Sequence, residues 1–174
     1  MKRMTACVTA AVALVVAVAL VTVTAVAQEK PRLTKEALQG TWSYTSAVVE
    51  RPDGTKFEVW GPDPNGRATF TADGFYTLVV SRRDLPKFAS KDRLKGTPEE
   101  NQAVVRGALA HFGRYAVNET NGTFTLHVEN SSFPNDVGTD QKRIAISLNA
   151  DELKFTNPSP TTGSSATVTW RRLK

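Results

Sequence analysis

The chain has 174 residues, with 22 Lys and Arg against 17 Asp and Glu, which gives a formal net charge of +5. Such a weak surplus, carried by scattered basic residues without interleaved aromatic side chains, argues against a nucleic-acid-binding protein and predicts no nucleic-acid partner. A single cysteine, Cys7, excludes an intrachain disulfide framework.

The N-terminus has the pattern of an export signal. Lys2 and Arg3 form a positive start, residues 8–27 contain no charge, and Ala25-Val26-Ala27 is an A-x-A cleavage site before the polar Gln28. We therefore expect a signal peptide over residues 1–27 and an exported protein, secreted or periplasmic, with no membrane contact after cleavage. The apolar run also approaches the ~20 residues of a membrane span, so an uncleaved N-terminal anchor is the alternative.

After cleavage the expected chain consists of a flexible leader, residues 28–35, and one domain, residues 36–174. Cleavage removes Cys7, so this domain has no thiol nucleophile and no cysteine-based metal site. Residues 34–39 suggest one helical turn, ended by Gly40 because glycine tolerates the left-handed conformation of a C-cap. No internal repeat and no second domain are visible.

The rest of the domain reads mainly as short strands joined by turns. Asp73-Gly74 and Asn121-Gly122 are hairpin turn sequences, and alternating apolar residues mark the segments between turns. The nine predicted strands are 41–49, 55–60, 67–71, 75–82, 111–117, 123–131, 141–148, 152–155 and 166–173. This order predicts an all-β fold, an antiparallel up-and-down β-barrel of 8–10 strands closed so that no edge is left exposed.

One full helix interrupts the strands. Thr97, Pro98 and Glu100 form a capping box with proline in the first turn. The expected helix body is 101–110, with Val104, Val105 and Leu109 forming a narrow apolar stripe against the sheet. The helix lies between hairpins and does not follow every strand, so a parallel α/β sheet is not expected.

The first and last strands carry a pair of residues suited to closing a barrel. Trp42 offers a flat apolar face at the start of the first strand, and an arginine of the last strand can stack on it as a cation–π contact worth roughly 0.5–2 kcal/mol. Strand parity with Trp170 selects Arg172 rather than Arg171 for this role. A core tryptophan in a two-sheet sandwich is the alternative interpretation of Trp42.

At this point the chain resembles the lipocalin-like domain proteins of the calycin type, over about residues 36–172. The resemblance implies an up-and-down barrel with an internal cavity, but no particular ligand or reaction, and the insert 83–110 departs from a plain eight-stranded lipocalin. The residues that carry it are Leu38-x-Gly40-x-Trp42, Asp73-Gly74, Phe112-Gly113-x-Tyr115, His127-Val128-Glu129, Ser131, Pro134, Gly138, Arg143 and Trp170-x-Arg172.

The main functional hypothesis is a binding protein for a small apolar or amphipathic molecule. It requires a cavity of a few hundred cubic ångströms inside the barrel. The candidate lining residues are aromatic or aliphatic and lie on the predicted strands: Trp42, Tyr44, Phe57, Phe70, Tyr76, Leu78, Tyr115, Leu126, Val128 and Ile144.

His127 and Glu129 share one face of the sixth strand, and Phe124, Leu126 and Val128 share the other. If the apolar face points inward, the two polar residues face solvent. The alternative places His127 and Glu129 inside, beside Arg143, whose guanidinium fork could bind a ligand carboxylate. In that arrangement His127 or Glu129 could act as the acid–base of an isomerase or cyclase.

The remaining candidates point to structural roles. His111 stands where the helix is expected to end, so a cap or surface position is favoured for it. Two histidines and no cysteine in the cleaved chain do not suffice for a zinc site, so neither a metal nor a cofactor is expected. A third hypothesis is a structural or interaction module of the cell envelope with a filled core, which predicts an exposed apolar patch near residues 83–110.

Overall fold

The computed structural model describes residues 32–160 and 164–174, so the expected signal peptide and residues 28–31 of the expected leader lie outside the described residues. The described residues form nine strands, two α-helices and one 3₁₀-helix. Their bounds are α1 Lys35–Leu38, β1 Gly40–Glu50, β2 Lys56–Glu58, β3 Asn65–Phe70, β4 Phe75–Ser81, α2 Pro98–Gly107, β5 Ala108–Asn118, β6 Thr123–Ser131, the 3₁₀-helix Pro134–Asp136, β7 Asp140–Leu148, β8 Glu152–Asn157 and β9 Ala166–Arg172.

The sheet is a closed, up-and-down antiparallel barrel. Its strand order is β2-β1-β3-β4-β5-β6-β7-β8-β9, and β9 pairs back onto β1. Eight strands form the closed wall, and β2 pairs only with the last three residues of β1. The predicted all-β barrel is therefore confirmed, and the sandwich alternative is wrong because the first and last strands are hydrogen-bonded neighbours.

Three register shifts make the alternation of inward and outward residues imperfect. They lie between Tyr44 and Ser46, between Phe112 and Gly113, and beside the Ala145 pair with Phe155. A Cβ at Gly113 would overlap the backbone oxygen of His127, so the second of these bulges requires glycine. Each shift changes which residues face the interior farther along the strand.

One end of the barrel, which we call the floor, is sealed by Trp42 and α1. The indole Nε1 of Trp42 donates to the carbonyl of Leu38 at 2.8 Å. The guanidinium that covers the Trp42 ring belongs to Arg172, with its central carbon 4.0 Å from the ring centroid. Leu33 is fully buried with this group, so the ordered packing begins before residue 36, within the segment expected to be a flexible leader.

Arg172 joins three segments of chain at the floor. Its NH1 and NH2 groups donate to the carbonyls of Gln39 and Ala37, and its Nε donates to the carbonyl of Ala150. Gly40 has φ +108, and a Cβ there would lie 3.0 Å from the Arg172 NH1. Glycine at this position both permits the turn from α1 into β1 and leaves room for the guanidinium.

A packed aromatic cluster fills the part of the barrel next to the floor. Phe70 meets Tyr115 edge-on with ring centroids 5.0 Å apart, and Phe155 meets Trp170 edge-on at 4.7 Å. Edge-on contacts of this kind are favourable for aromatic rings. Phe124 contacts both Phe70 and Phe155, so the cluster links strands on opposite sides of the barrel.

The helix α2 begins as predicted, but it packs differently. Thr97 accepts from the backbone N–H of Glu100, and the Glu100 carboxylate accepts from the Thr97 N–H, completing the capping box. The predicted apolar stripe is wrong: Val105 is 79% exposed, and Leu109 belongs to β5. Gly107 is the buried residue of the helix. Among the described residues, no helix is long and apolar enough to cross a bilayer.

We predict that Arg172→Met lowers the free energy of unfolding by about 2–4 kcal/mol. It removes the cation–π contact and leaves carbonyls of the floor without their charged donor. Urea denaturation followed by tryptophan fluorescence measures the change. Arg171→Met is the matched control, since Arg171 is exposed on the same strand, and its effect should stay within about 0.5 kcal/mol. Equal effects of both substitutions would contradict the role assigned to Arg172.

Candidate ligand cavity

The barrel encloses a cavity at the end opposite the floor. The cavity measures about 60 Å³ as the space open to the centre of a water molecule. Since one water needs about 10–15 Å³ of such space, there is room for roughly four to six waters, about the volume of one substituted aromatic ring. The expected volume of a few hundred cubic ångströms is therefore wrong, because large side chains occupy most of the interior.

Apolar side chains form most of the cavity wall. The rings of Tyr44 and Trp170 pack against each other with centroids 6.1 Å apart. Trp60, in the turn after β2, and Pro160, after β8, lie at the end farthest from the floor. The other apolar lining residues are Ala47, Val59, Leu78, Val80, Leu109, Phe155, Ala166 and Val168.

Arg143 is a charged side chain buried in this wall. It is 6% exposed, and burial lowers the pKa of its guanidinium to about 10, so it remains protonated at neutral pH. Its NH2 group donates to Oε1 of Gln141 at 2.7 Å, and its NH1 group donates to the carbonyl of Lys142 at 3.0 Å. A guanidinium has five N–H donors, so these two bonds use less than half of its capacity.

His111 faces the same cavity from β5. Its Nδ1 lies 2.9 Å from the hydroxyl of Tyr76, and the side chain is 3% exposed. Burial, together with the nearby positive charge of Arg143, lowers the pKa of His111 from 6.5 to about 4. The imidazole is therefore neutral at neutral pH. The expected cap or surface position is wrong, because α2 ends at Gly107 and His111 alternates inward with Gly113 and Tyr115.

Asp136 and Tyr44 complete the polar part of the cavity. Asp136 lies in the 3₁₀-helix after β6, and burial raises the pKa of its carboxyl above the usual value. Burial also raises the pKa of Tyr44 to about 12, so its hydroxyl is protonated at neutral pH. Both groups act electrostatically on the pKa of Arg143, so the polar side chains of the cavity influence one another.

Trp170 carries a polar atom without a partner. Its ring lines the cavity, and its Nε1 is the one buried side-chain nitrogen or oxygen that lacks a hydrogen bond within residues 32–160 and 164–174. A buried indole N–H usually finds an acceptor. The missing acceptor distinguishes this indole from that of Trp42, whose N–H is bonded within the floor.

The residues predicted to line a cavity fall into three groups. Tyr44, Leu78 and Arg143 do line it, and Tyr76 is bonded to the lining residue His111. A second group is buried away from the cavity, in the floor, the aromatic cluster and the wall beside it: Trp42, Phe70, Tyr115, Leu126 and Val128. Phe57 and Ile144 form the third group, outside the cavity lining.

Phe57 and Ile144 are displaced for different reasons. Phe57 lies on the short strand β2, with the guanidinium carbon of Arg51 at 4.5 Å from its ring centroid. Ile144 is 40% exposed because it points outward next to Arg143. The prediction that Ile144 lines the cavity is therefore wrong: the register pairs Arg143 with Phe124, which faces inward, so Ile144 faces outward.

His127 and Glu129 face the outside of the barrel. The Nδ1 of His127 contacts the Asp140 carboxylate at 2.5 Å, and Glu129 pairs with Arg114 at 3.4 Å. Both residues are absent from the cavity lining. The arrangement required by the isomerase or cyclase hypothesis, with these two side chains beside Arg143, does not occur.

Several lining residues were not singled out from the sequence. Trp170 and Val168 could have been found from the alternation of β9, and His111 from that of β5. Trp60 was expected in the strand 55–60, but β2 ends at Glu58 and Trp60 lies in the turn that follows, where no periodicity applies. Asp136 lies in a 3₁₀-helix that the sequence did not predict. The described residues contain no group of three or more His, Cys, Asp or Glu that could hold a metal ion.

The fold and the site together define a small closed β-barrel with an internal, mostly apolar cavity. The family described as lipocalin-like domain matches residues 39–173 of the chain. The chain therefore belongs to the lipocalin-like domain family, and the resemblance noted in the sequence is confirmed.

Similar proteins include one named relative and one solved structure. One is named the 4'-hydroxy-3'-methoxypropiophenone carrier protein ppsC of Aspergillus oryzae, 33% identical over 104 residues that cover 54% of this chain and 93% of the relative. The other is a solved structure of a redesigned β-barrel with a TM-score of 0.41 and 13% identity, covering 83% of this chain and 97% of the other.

We predict that His111 makes stability depend on pH. Because its folded pKa of about 4 lies below the unfolded value of 6.5, the unfolded chain binds the proton first. The free energy of unfolding is therefore highest, as far as His111 is concerned, above about pH 6.5. It falls by about 3 kcal/mol as the pH is lowered from 6.5 toward 4.

Urea denaturation of the wild type and of His111→Gln at pH 7 and pH 4 measures this contribution. The substitution should reduce the loss between the two pH values by about 3 kcal/mol. Tyr76→Phe is the control, because it removes the hydrogen-bond partner but leaves His111 buried, so most of the pH dependence should remain. An unchanged pH dependence in His111→Gln would show that the imidazole is not desolvated.

Proposed function

We propose that this protein is an exported carrier that binds one small, mainly apolar, ring-sized molecule in the barrel cavity. The observation that carries the proposal is the cavity itself. It is lined by aromatic and aliphatic side chains with a few polar groups on one side, which is the usual composition of a small-molecule site. The volume restricts the ligand to about the size of a substituted aromatic ring.

The named relative supports a carrier of this kind. Its printed cargo, 4'-hydroxy-3'-methoxypropiophenone, is an aromatic ketone with a hydroxyl and a methoxy group. A ring of that type suits walls formed by Tyr44, Trp60 and Trp170, and its oxygens suit the polar side of the cavity. Export is supported by the charge and hydropathy pattern of residues 1–27.

The three tryptophans of the chain provide a direct binding assay. Trp60 and Trp170 line the cavity, whereas Trp42 lies in the floor away from it. We expect saturable quenching of tryptophan emission on titration with 4'-hydroxy-3'-methoxypropiophenone. We also expect a co-purifying small molecule in native mass spectra of protein isolated from its own host.

A cavity-filling variant separates cavity binding from surface adsorption. Ala47→Leu places a larger side chain in the cavity wall, and we expect it to weaken the quenching at least tenfold. Ala116→Leu is the matched control, since Ala116 is exposed on the outer face of β5, and binding should be unchanged. Circular dichroism checks that both variants fold. The absence of a co-purifying mass, together with quenching that does not saturate, would contradict the proposal.

A further inference from the structure

Arg143 has no carboxylate in direct contact. Within the part of the chain that the structure describes, none of the ion pairs involves Arg143, so no carboxylate oxygen lies within 4.0 Å of its nitrogens. Both of its hydrogen bonds go to neutral oxygens. Removing a cation from water costs several kcal/mol unless an anion and further hydrogen bonds compensate. The charge of Asp136 acts on Arg143 without a direct contact, so no direct ion pair offsets the cost of burying this guanidinium.

A second, independent observation comes from β9. The Nε1–H of Trp170 is buried and has no acceptor among the described residues, and Trp170 lines the cavity that Arg143 lines. Two side chains that line the same cavity, one charged and one neutral, thus have N–H donors that the described residues do not use. A ligand oxygen in the cavity would satisfy both of them.

The other polar groups of the cavity do not form an ion pair with Arg143. His111 is neutral at neutral pH, and the Tyr44 hydroxyl is protonated. Asp136 is the carboxyl group in the lining, and it is not paired directly with Arg143. Its Oδ2 accepts from Ser131 at 3.5 Å. The N–H donors of Arg143 that remain unbonded are therefore left for a ligand.

We propose that the cavity binds its ligand as an anion, specifically a small aromatic carboxylate. The Arg143 fork receives the carboxylate, the Trp170 Nε1–H donates a further hydrogen bond, and the ring packs against Tyr44, Trp60 and the aliphatic wall. A planar guanidinium matches the two oxygens of a carboxylate in bidentate geometry. This inference rests on the proposed carrier function and adds the chemical class of the ligand.

Benzoate and benzamide form the test pair, because they differ mainly in the exchange of an anionic oxygen for an amide NH₂. Isothermal titration calorimetry at pH 7.5 should give at least tenfold tighter binding of benzoate to the wild type. In Arg143→Met the affinity for benzoate should fall at least tenfold, while that for benzamide should stay within twofold. Arg143→Lys, which keeps the charge without the fork, should give an intermediate affinity for benzoate.

Two controls keep the result interpretable. Arg67→Met removes an exposed arginine of β3 and should leave both affinities unchanged. The unliganded Arg143→Met variant should be as stable to urea as the wild type or more stable, since it loses an unpaired buried cation. Trp170→Phe should weaken benzoate binding severalfold.

The outcomes separate the two proposals. Equal affinities for benzoate and benzamide, or a benzoate preference that persists in Arg143→Met, would overturn the anionic ligand but leave the carrier function in place. If neither compound binds, and saturable quenching by 4'-hydroxy-3'-methoxypropiophenone is also absent, the carrier function fails together with this inference.

Discussion

The stacking of Arg172 on Trp42 is the contact on which the closed form of the barrel depends. It joins the last strand to the first, and through backbone carbonyls it also holds α1 and the β7–β8 turn. A charged group can occupy this position because its N–H donors find acceptors and its flat face lies on an indole. Because the floor end holds the barrel closed, the opposite end can contain a cavity in place of a fully packed core.

The interior divides into a packed part and an open part, and their energetics differ. Near the floor the aromatic cluster around Phe70 and Phe124 fills the space with edge-on contacts. Farther along, Arg143 and Trp170 line a cavity, and neither side chain has its full set of hydrogen-bond partners among the described residues. Stability gained by close packing in one part offsets the cost of desolvated polar groups in the other. A binding site built on such a scaffold has a closely packed wall on one side and side chains with unused hydrogen-bond donors on the other.

Local sequence patterns sufficed for the strands, the turns and the helix start, because alternation and capping depend on neighbouring residues. They did not suffice for the site. Whether Arg143 or Ile144 points inward depends on the register of β7 against Phe124 of β6, which is a non-local property. The bulge before Gly113 is set by a close approach of two backbones. Trp60 enters the cavity from a turn, where periodicity gives no information.

The segment between β4 and β5 behaves as a separable appendage. Ser81 and Ala108, which bracket it, are direct partners in the sheet, so the two strands would meet without it. The N-terminus of the helix inside this segment is capped by its own capping box, and few of the helix side chains are buried against the barrel wall. A tight hairpin turn could therefore replace residues 82–107, and a fused domain could be grafted there. In either case the barrel would keep its architecture, which makes this connection the natural attachment point for engineering.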